Sequence, residues 1–166
     1  MIKMIPIIQK IPAPFFLFLL LISCGSSSDT SAIRQPNSTN QKAVIVSVTS
    51  SGNENAYTFS VGILSPDTGC DQYANWWEVL SENGDLIYRR ILGHSHVNEQ
   101  PFIRSGGSVA ITKNQVVIIR AHMNTSGYGN KTFRGSVAVG FVAFETQQNF
   151  ANKLSTQQPL PSGCAF

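Results

Sequence analysis

The chain has 166 residues, 12 basic against 9 acidic side chains, a net charge of +3 and a charged fraction of 13%. Two of those 12 cations, Lys3 and Lys10, stand at the extreme N-terminus, which leaves 10 against 9 beyond it and excludes an electrostatic footprint for nucleic acid. Three cysteines are too few for a cysteine-based metal cluster, and the length allows one domain with a real core.

Lys3 and Lys10 form a short positive region, and an uncharged run rich in Phe and Leu follows over residues 11–22. About a dozen residues is the length of a signal-peptide core, whereas a spanning helix needs about 20. Pro12 and Pro14 also oppose a regular membrane helix. The run ends in Leu21-Ile22-Ser23-Cys24. Here the sequence resembles bacterial lipoprotein precursors, whose lipobox has a branched aliphatic residue three before a cysteine and a small residue just before it. The resemblance covers residues 1–24. It implies a lipid thioether on Cys24, cleavage before Cys24, and acylation, as by palmitate, of the new amino terminus. Two or three chains, at about 0.8 kcal/mol per buried methylene, hold a protein on a bilayer where one does not. Gly25 follows the cysteine where an Asp would favour inner-membrane retention in enteric-type lipoproteins, so the resemblance favours the outer membrane of a Gram-negative cell.

Residues 25–41 are mostly Ser, Thr, Asn, Gln, Gly and Pro with Ile33 as the one large apolar residue, a composition that cannot offset its ordering entropy and suits a flexible tether. The expected organisation is therefore a signal peptide at 1–23, lipidated cysteine and tether at 24–42, and a single β domain at 43–166. Residues 43–49 are rich in Val and Ile. In Tyr57, Phe59, Val61 and Ile63 apolar residues alternate with Thr58, Ser60 and Gly62, the period of a half-buried strand. Ser65-Pro66-Asp67-Thr68-Gly69 reads as a turn. Residues 75–80 and 86–92 flank Asn83-Gly84, a strong hairpin signal. Further strands are expected at 108–112, 115–122 and 132–144, with a loop at 124–130 and a short helix over 144–154. About seven strands predict a mostly β fold, an antiparallel two-layer β-sandwich of possible immunoglobulin type, with a jelly-roll or small barrel as the alternative.

With Cys24 assigned to the anchor, Cys70 and Cys164 remain, and in an exported domain two thiols most simply pair; two free thiols are the alternative.

Chemically capable side chains concentrate in Gly93-His94-Ser95-His96-Val97-Asn98-Glu99. On a strand, His94 and His96 would project from one face, and His122 or Glu99 would complete a site for a divalent transition metal such as Zn, Fe, Mn or Cu. The spacing is similar to part of the first cupin motif, with Gly106 seven residues after Glu99. It departs in having two residues between His96 and Glu99 and no second motif around His122. Ser95 stands as in a nucleophile elbow, but Val97 occupies the place of the required glycine. The bland account places these histidines in a polar loop. No cofactor is required by it.

The pairs Asp67/Asp71 and Glu78/Glu82, and the adjacent Arg89-Arg90, read as solvated. Trp76 and Trp77 must face opposite sides of a strand, so one enters the core and the other meets solvent, a covering loop or a ligand. With Tyr88 and Tyr128 they are the candidate contacts for a peptide, glycan or envelope protein. The sequence thus favours a lipid-anchored envelope protein that binds a ligand or partner over a catalyst, with a metal-binding protein or metal-dependent enzyme as the alternative.

Overall fold

The computed structural model describes residues 42–165. The leader, the lipobox with Cys24 and the tether up to residue 41 lie outside the described residues. Among the described residues there are nine strands: β1 (Val44–Ser51), β2 (Tyr57–Leu64), β3 (Ala74–Ser81), β4 (Leu86–Ile91), β5 (Phe102–Val109), β6 (Val117–Met123), β7 (Gly127–Tyr128), β8 (Lys131–Ser136) and β9 (Gly140–Glu145). One sheet has the order β1-β2-β5. The other has the order β4-β3-β6-β8-β9, with the short β7 added to β6. All ladders are antiparallel, and the two sheets pack face to face as a sandwich rather than closing into a barrel.

The period-two patterns explain the layers. Tyr57, Phe59, Val61 and Ile63 of β2 all point into the core, where they meet Trp77 and Val79 of β3 and Val117, Ile119, Ala121 and Met123 of β6. Strands β3 and β6 are buried on both faces. Their second face, bearing Trp76, Leu80 and Ile118, is covered by the chain after β9, through Phe150, Leu154 and Leu160. Burying side chains of this size stabilises by about 1.5–3 kcal/mol each.

Four expectations differ from the structure. The strand expected at 108–112 lies earlier, because β2 pairs with Phe102–Val109. The long strand expected at 132–144 is a hairpin, β8–β9, whose return begins at Gly140 with φ +85°, a conformation that glycine adopts without steric cost. The loop at 124–130 contains β7. The helix expected over 144–154 is absent; a 3-10 helix, Asn152–Thr156, follows instead. Arginine side chains donate to the carbonyls of Phe150, Ala151 and Leu154, and the last two also accept the backbone N–H groups of Leu154 and Gln157 in this 3-10 turn.

The end of the chain is fastened twice. Cys70 and Cys164 form a disulfide across 94 residues. Next to it Ala165 runs beside His94, donating to Gly93 O at 2.7 Å and accepting from Ser95 N at 3.3 Å.

Candidate functional site

Sheet register places two rows of side chains on the outer face of the second sheet. Glu78 stands opposite Arg89 on β4 and opposite Arg120 on β6. Two residues along β3, Trp76 stands opposite His122, which in turn faces Tyr128 on β7. Side chains two apart share a face, so the ionic row and the aromatic row lie side by side.

The ionic row is buried. Glu78 is 0% exposed, and its two carboxylate oxygens each face one guanidinium at 2.7 Å. Most of the remaining guanidinium donors turn to the covering segment, Arg89 to the carbonyls of Leu154, Gln157 and Pro159 and Arg120 to those of Phe150 and Ala151, while Arg89 also donates to the Tyr128 hydroxyl at 3.3 Å. One carboxylate thus orients two cations that hold down the last stretch of chain. Burial of such charges is tolerated only because every partner is in place. Glu78 and Arg89 therefore correct the expectation of solvated charges, whereas Arg90 and Glu82 are exposed as expected.

In the aromatic row the His122 ring lies on Trp76 and meets Tyr128 edge-on, with centroids 3.7 and 4.6 Å apart. Arg120 sits over the Tyr128 ring at 3.4 Å and Arg89 over Trp76 at 4.5 Å, both cation–π contacts. His122 Nδ1 is 2.8 Å from Asn75 Oδ1, which makes Nδ1 the protonated nitrogen. Burial first, then the charges of Arg89, Arg120 and Lys42, push the His122 pKa down to about 3. Burial first, then the Glu78 carboxylate, pushes the Tyr128 phenol up to about 12.

A polar hollow of about 220 Å³ opens beside this row. Its sheet side is formed by Lys42, His122, Ser126, Gly127 and Tyr128, and its opposite wall by Gln148, Asn149, Asn152 and Ser155 of the covering segment. Lys42 Nζ is fixed at the rim by the carbonyls of Ser126 (3.0 Å) and Tyr128 (2.9 Å).

The histidine-rich segment lies elsewhere. Its residues 95–100 form no strand, so His94 and His96 do not share a face: His94 is exposed, and His96 is buried with its ring stacked on Phe102 at 3.8 Å. Asp67, also buried, accepts from the backbone N–H of His96 (2.8 Å) and Ala74 (2.9 Å) and from Ser65 Oγ (2.7 Å). That makes Asp67 an organiser of the loop and not the solvated carboxylate expected. Burial first, then Arg104, lowers the His96 pKa. Glu99 pairs with Arg104 at 2.8 Å, and that hydrogen bond lowers the Glu99 pKa. His94, His96 and Glu99 line one hollow and His122 another, and among the described residues no three His, Cys, Asp or Glu side chains are grouped to hold a metal ion.

Of the candidate ligand contacts, Trp76 is 2% and Trp77 0% exposed. Trp77 enters the inter-sheet core beside Tyr88, and Trp76 lies under the covering segment, so neither indole offers a platform at the surface. Tyr128 borders the polar hollow. Reading the sequence missed Lys42, Glu78, Arg89 and Arg120. The available signal was that Glu78 lies two residues from both Trp76 and Leu80, on a face too apolar to leave a carboxylate in water.

No protein-family model matches the chain, and no solved structure matches it. A curated protein of Halomicrobium mukohataei that bears the name “Putative lipoprotein” is 38% identical over 92 residues, 55% of this chain. The match spans 45% of that relative's length. The chain is thus similar over about half its length to a protein named as a lipoprotein, which agrees with an envelope protein associated with a membrane.

Proposed function

We propose that this is a lipid-anchored envelope protein whose β domain, residues 43–166, binds a ligand on the periphery of the membrane to which Cys24 attaches it. The observation that carries the anchor is Leu21-Ile22-Ser23-Cys24 at the end of an uncharged apolar run preceded by two lysines. The lipoprotein relative supports the same reading. Residues 24–41 act as the spacer, Lys42 being fastened to the domain, and Gly25 in place of Asp favours sorting to an outer membrane where the cell has one. The Cys70–Cys164 disulfide fits an oxidising compartment outside the cytoplasm. A binding role suits the polar hollow at Lys42, His122 and Tyr128, where donors and acceptors of the sheet side face those of the covering segment.

Mass spectrometry of the N-terminal peptide from cells expressing the full chain tests the anchor. The expected mature protein begins at an acylated Cys24, and Cys24→Ala removes both the acyl mass and the processing. An unmodified Cys24 in the mature wild-type protein sinks this reading.

A further inference from the structure

The charges that act on His122 are those of Arg89, Arg120 and Lys42, all cationic. The one buried carboxylate nearby, Glu78, is divided between the two arginines, so the triad retains one net positive charge. Lys42 adds a second at the rim. Among the described residues no Asp or Glu lines the hollow. Lys42 uses two of its three N–H groups on backbone carbonyls, which fixes the ammonium and leaves one donor. Facing it, Gln148, Asn149, Asn152 and Ser155 bring amide and hydroxyl groups from the covering segment.

We infer that this hollow is a binding site for a small oxyanion-bearing group, a carboxylate or a phosphate, with Lys42 as its counter-charge and the side chains of Asn152 and Ser155 as hydrogen-bond donors. The site is preorganised: its cation is held by main-chain carbonyls, and its floor is a neutral imidazole stacked on Trp76. A cationic ligand would meet two uncompensated positive charges there. A neutral sugar would leave those charges as they are, whereas an oxyanion offsets them in partly desolvated surroundings, where charge pairing is strengthened. The volume of about 220 Å³ accommodates such a group with some of its water and no large ring system. The oxyanion can be a free ion, the acidic end of a glycan or peptide, or a lipid headgroup; all share this chemistry. The inference rests on the binding role of the domain and not on lipidation of Cys24.

The test uses the full chain in a non-ionic detergent, with histidine side chains labelled for NMR. Inorganic phosphate, glycerol 3-phosphate and glucuronate are titrated against sodium chloride at matched ionic strength and against N-acetylglucosamine. At least one oxyanion is expected to give a saturable shift at His122 and to move its titration upward, because bound negative charge relieves the cations that suppress its protonation. Tight glycerol 3-phosphate binding points to a headgroup, and a glucuronate preference points to an acidic glycan. Lys42→Gln is expected to weaken binding at least about tenfold, and Lys42→Arg to retain most of it. Asn152→Ala probes the opposite wall independently and is expected to weaken binding without changing the fold. Shifts that sodium chloride reproduces, equal binding of N-acetylglucosamine, or full affinity in folded Lys42→Gln would each overturn the site. Cys24 acylation is read separately, so failure here leaves the anchor standing.

Discussion

Trp76 and His122 face each other across the β3–β6 ladder with their ring planes 7° apart, and the imidazole held there is neutral. Arg89, Arg120 and Lys42 act on it from β4, β6 and the segment before β1, with Glu78 beside the arginines and Tyr128 on β7. The unfolded chain takes up a proton at this histidine near its ordinary pKa of 6.5, and the folded chain only near 3. Between those values the unfolded state binds more protons, so stability falls as the pH falls. The full shift has a ceiling of roughly 4–5 kcal/mol at 1.36 kcal/mol per pH unit, with solvent relaxation reducing it. Urea midpoints of the wild type should decline from pH 6.5 towards pH 4 more steeply than those of His122→Gln. Parallel curves would assign the acid limb to other groups.

Glu78 makes a second, sharper prediction. Glu78→Gln leaves two buried guanidiniums without their counter-charge and should destabilise by about 3–5 kcal/mol. Glu82, four residues on, pairs with Arg134 in a half-exposed ion pair, and Glu82→Gln should cost less than about 1 kcal/mol. Replacing Glu78, Arg89 and Arg120 together by apolar residues should not restore stability, because the carbonyls of Phe150, Ala151, Leu154, Gln157 and Pro159 would lose their donors. Chemical denaturation of the three variants decides it; a Glu78→Gln midpoint equal to that of Glu82→Gln refutes the role of the triad.

What period two could reveal, it revealed. The alternation from Tyr57 to Ile63 is the buried face of β2, and Asn83-Gly84 closes the β3–β4 hairpin. The candidate site was less legible because it is assembled across sequence distance. Glu78 meets partners 11 and 42 residues away, and the wall of the hollow comes from Gln148, Asn149 and Asn152, which read as plain polar chain. The segment that buries Trp76 carries few apolar residues, so nothing local announced that this face would be covered. His94 and His96 misled in the opposite way: a strand would have joined them, but the chain there is a loop that turns His96 inward onto Phe102.

The disulfide yields a prediction about where stability is stored. Closing 94 residues removes unfolded-state entropy worth about 4–5 kcal/mol in the chain-entropy model, so Cys70→Ser/Cys164→Ser should shift the urea midpoint accordingly. The covering segment should nevertheless stay docked in that variant, since Arg89 and Arg120 hold it independently through five carbonyls. Limited proteolysis near residue 150 should therefore remain slow under native conditions. Rapid cleavage there would show that the disulfide, and not the arginines, keeps the segment in place.

Gly129 connects the packing of the domain to the hollow. It follows Tyr128 and donates its backbone N–H to Ala121 O at 3.2 Å. A Cβ at this position would stand 2.0 Å from the carbonyl oxygen of Ala43, a main-chain atom that cannot swing aside. Gly129→Ala must therefore push the start of the domain outward, and Lys42 with it, away from the Tyr128 carbonyl that fixes its ammonium. Overpacking of this kind costs about 1–3 kcal/mol. Gly93→Ala is the control: a Cβ there meets nothing within 4 Å, and its effect should stay within about 0.5 kcal/mol. Phosphate titration of the folded Gly129→Ala protein should show weaker binding than the wild type, with Gly93→Ala unchanged. Equal affinity in all three would show that the position of Lys42 does not matter to the hollow.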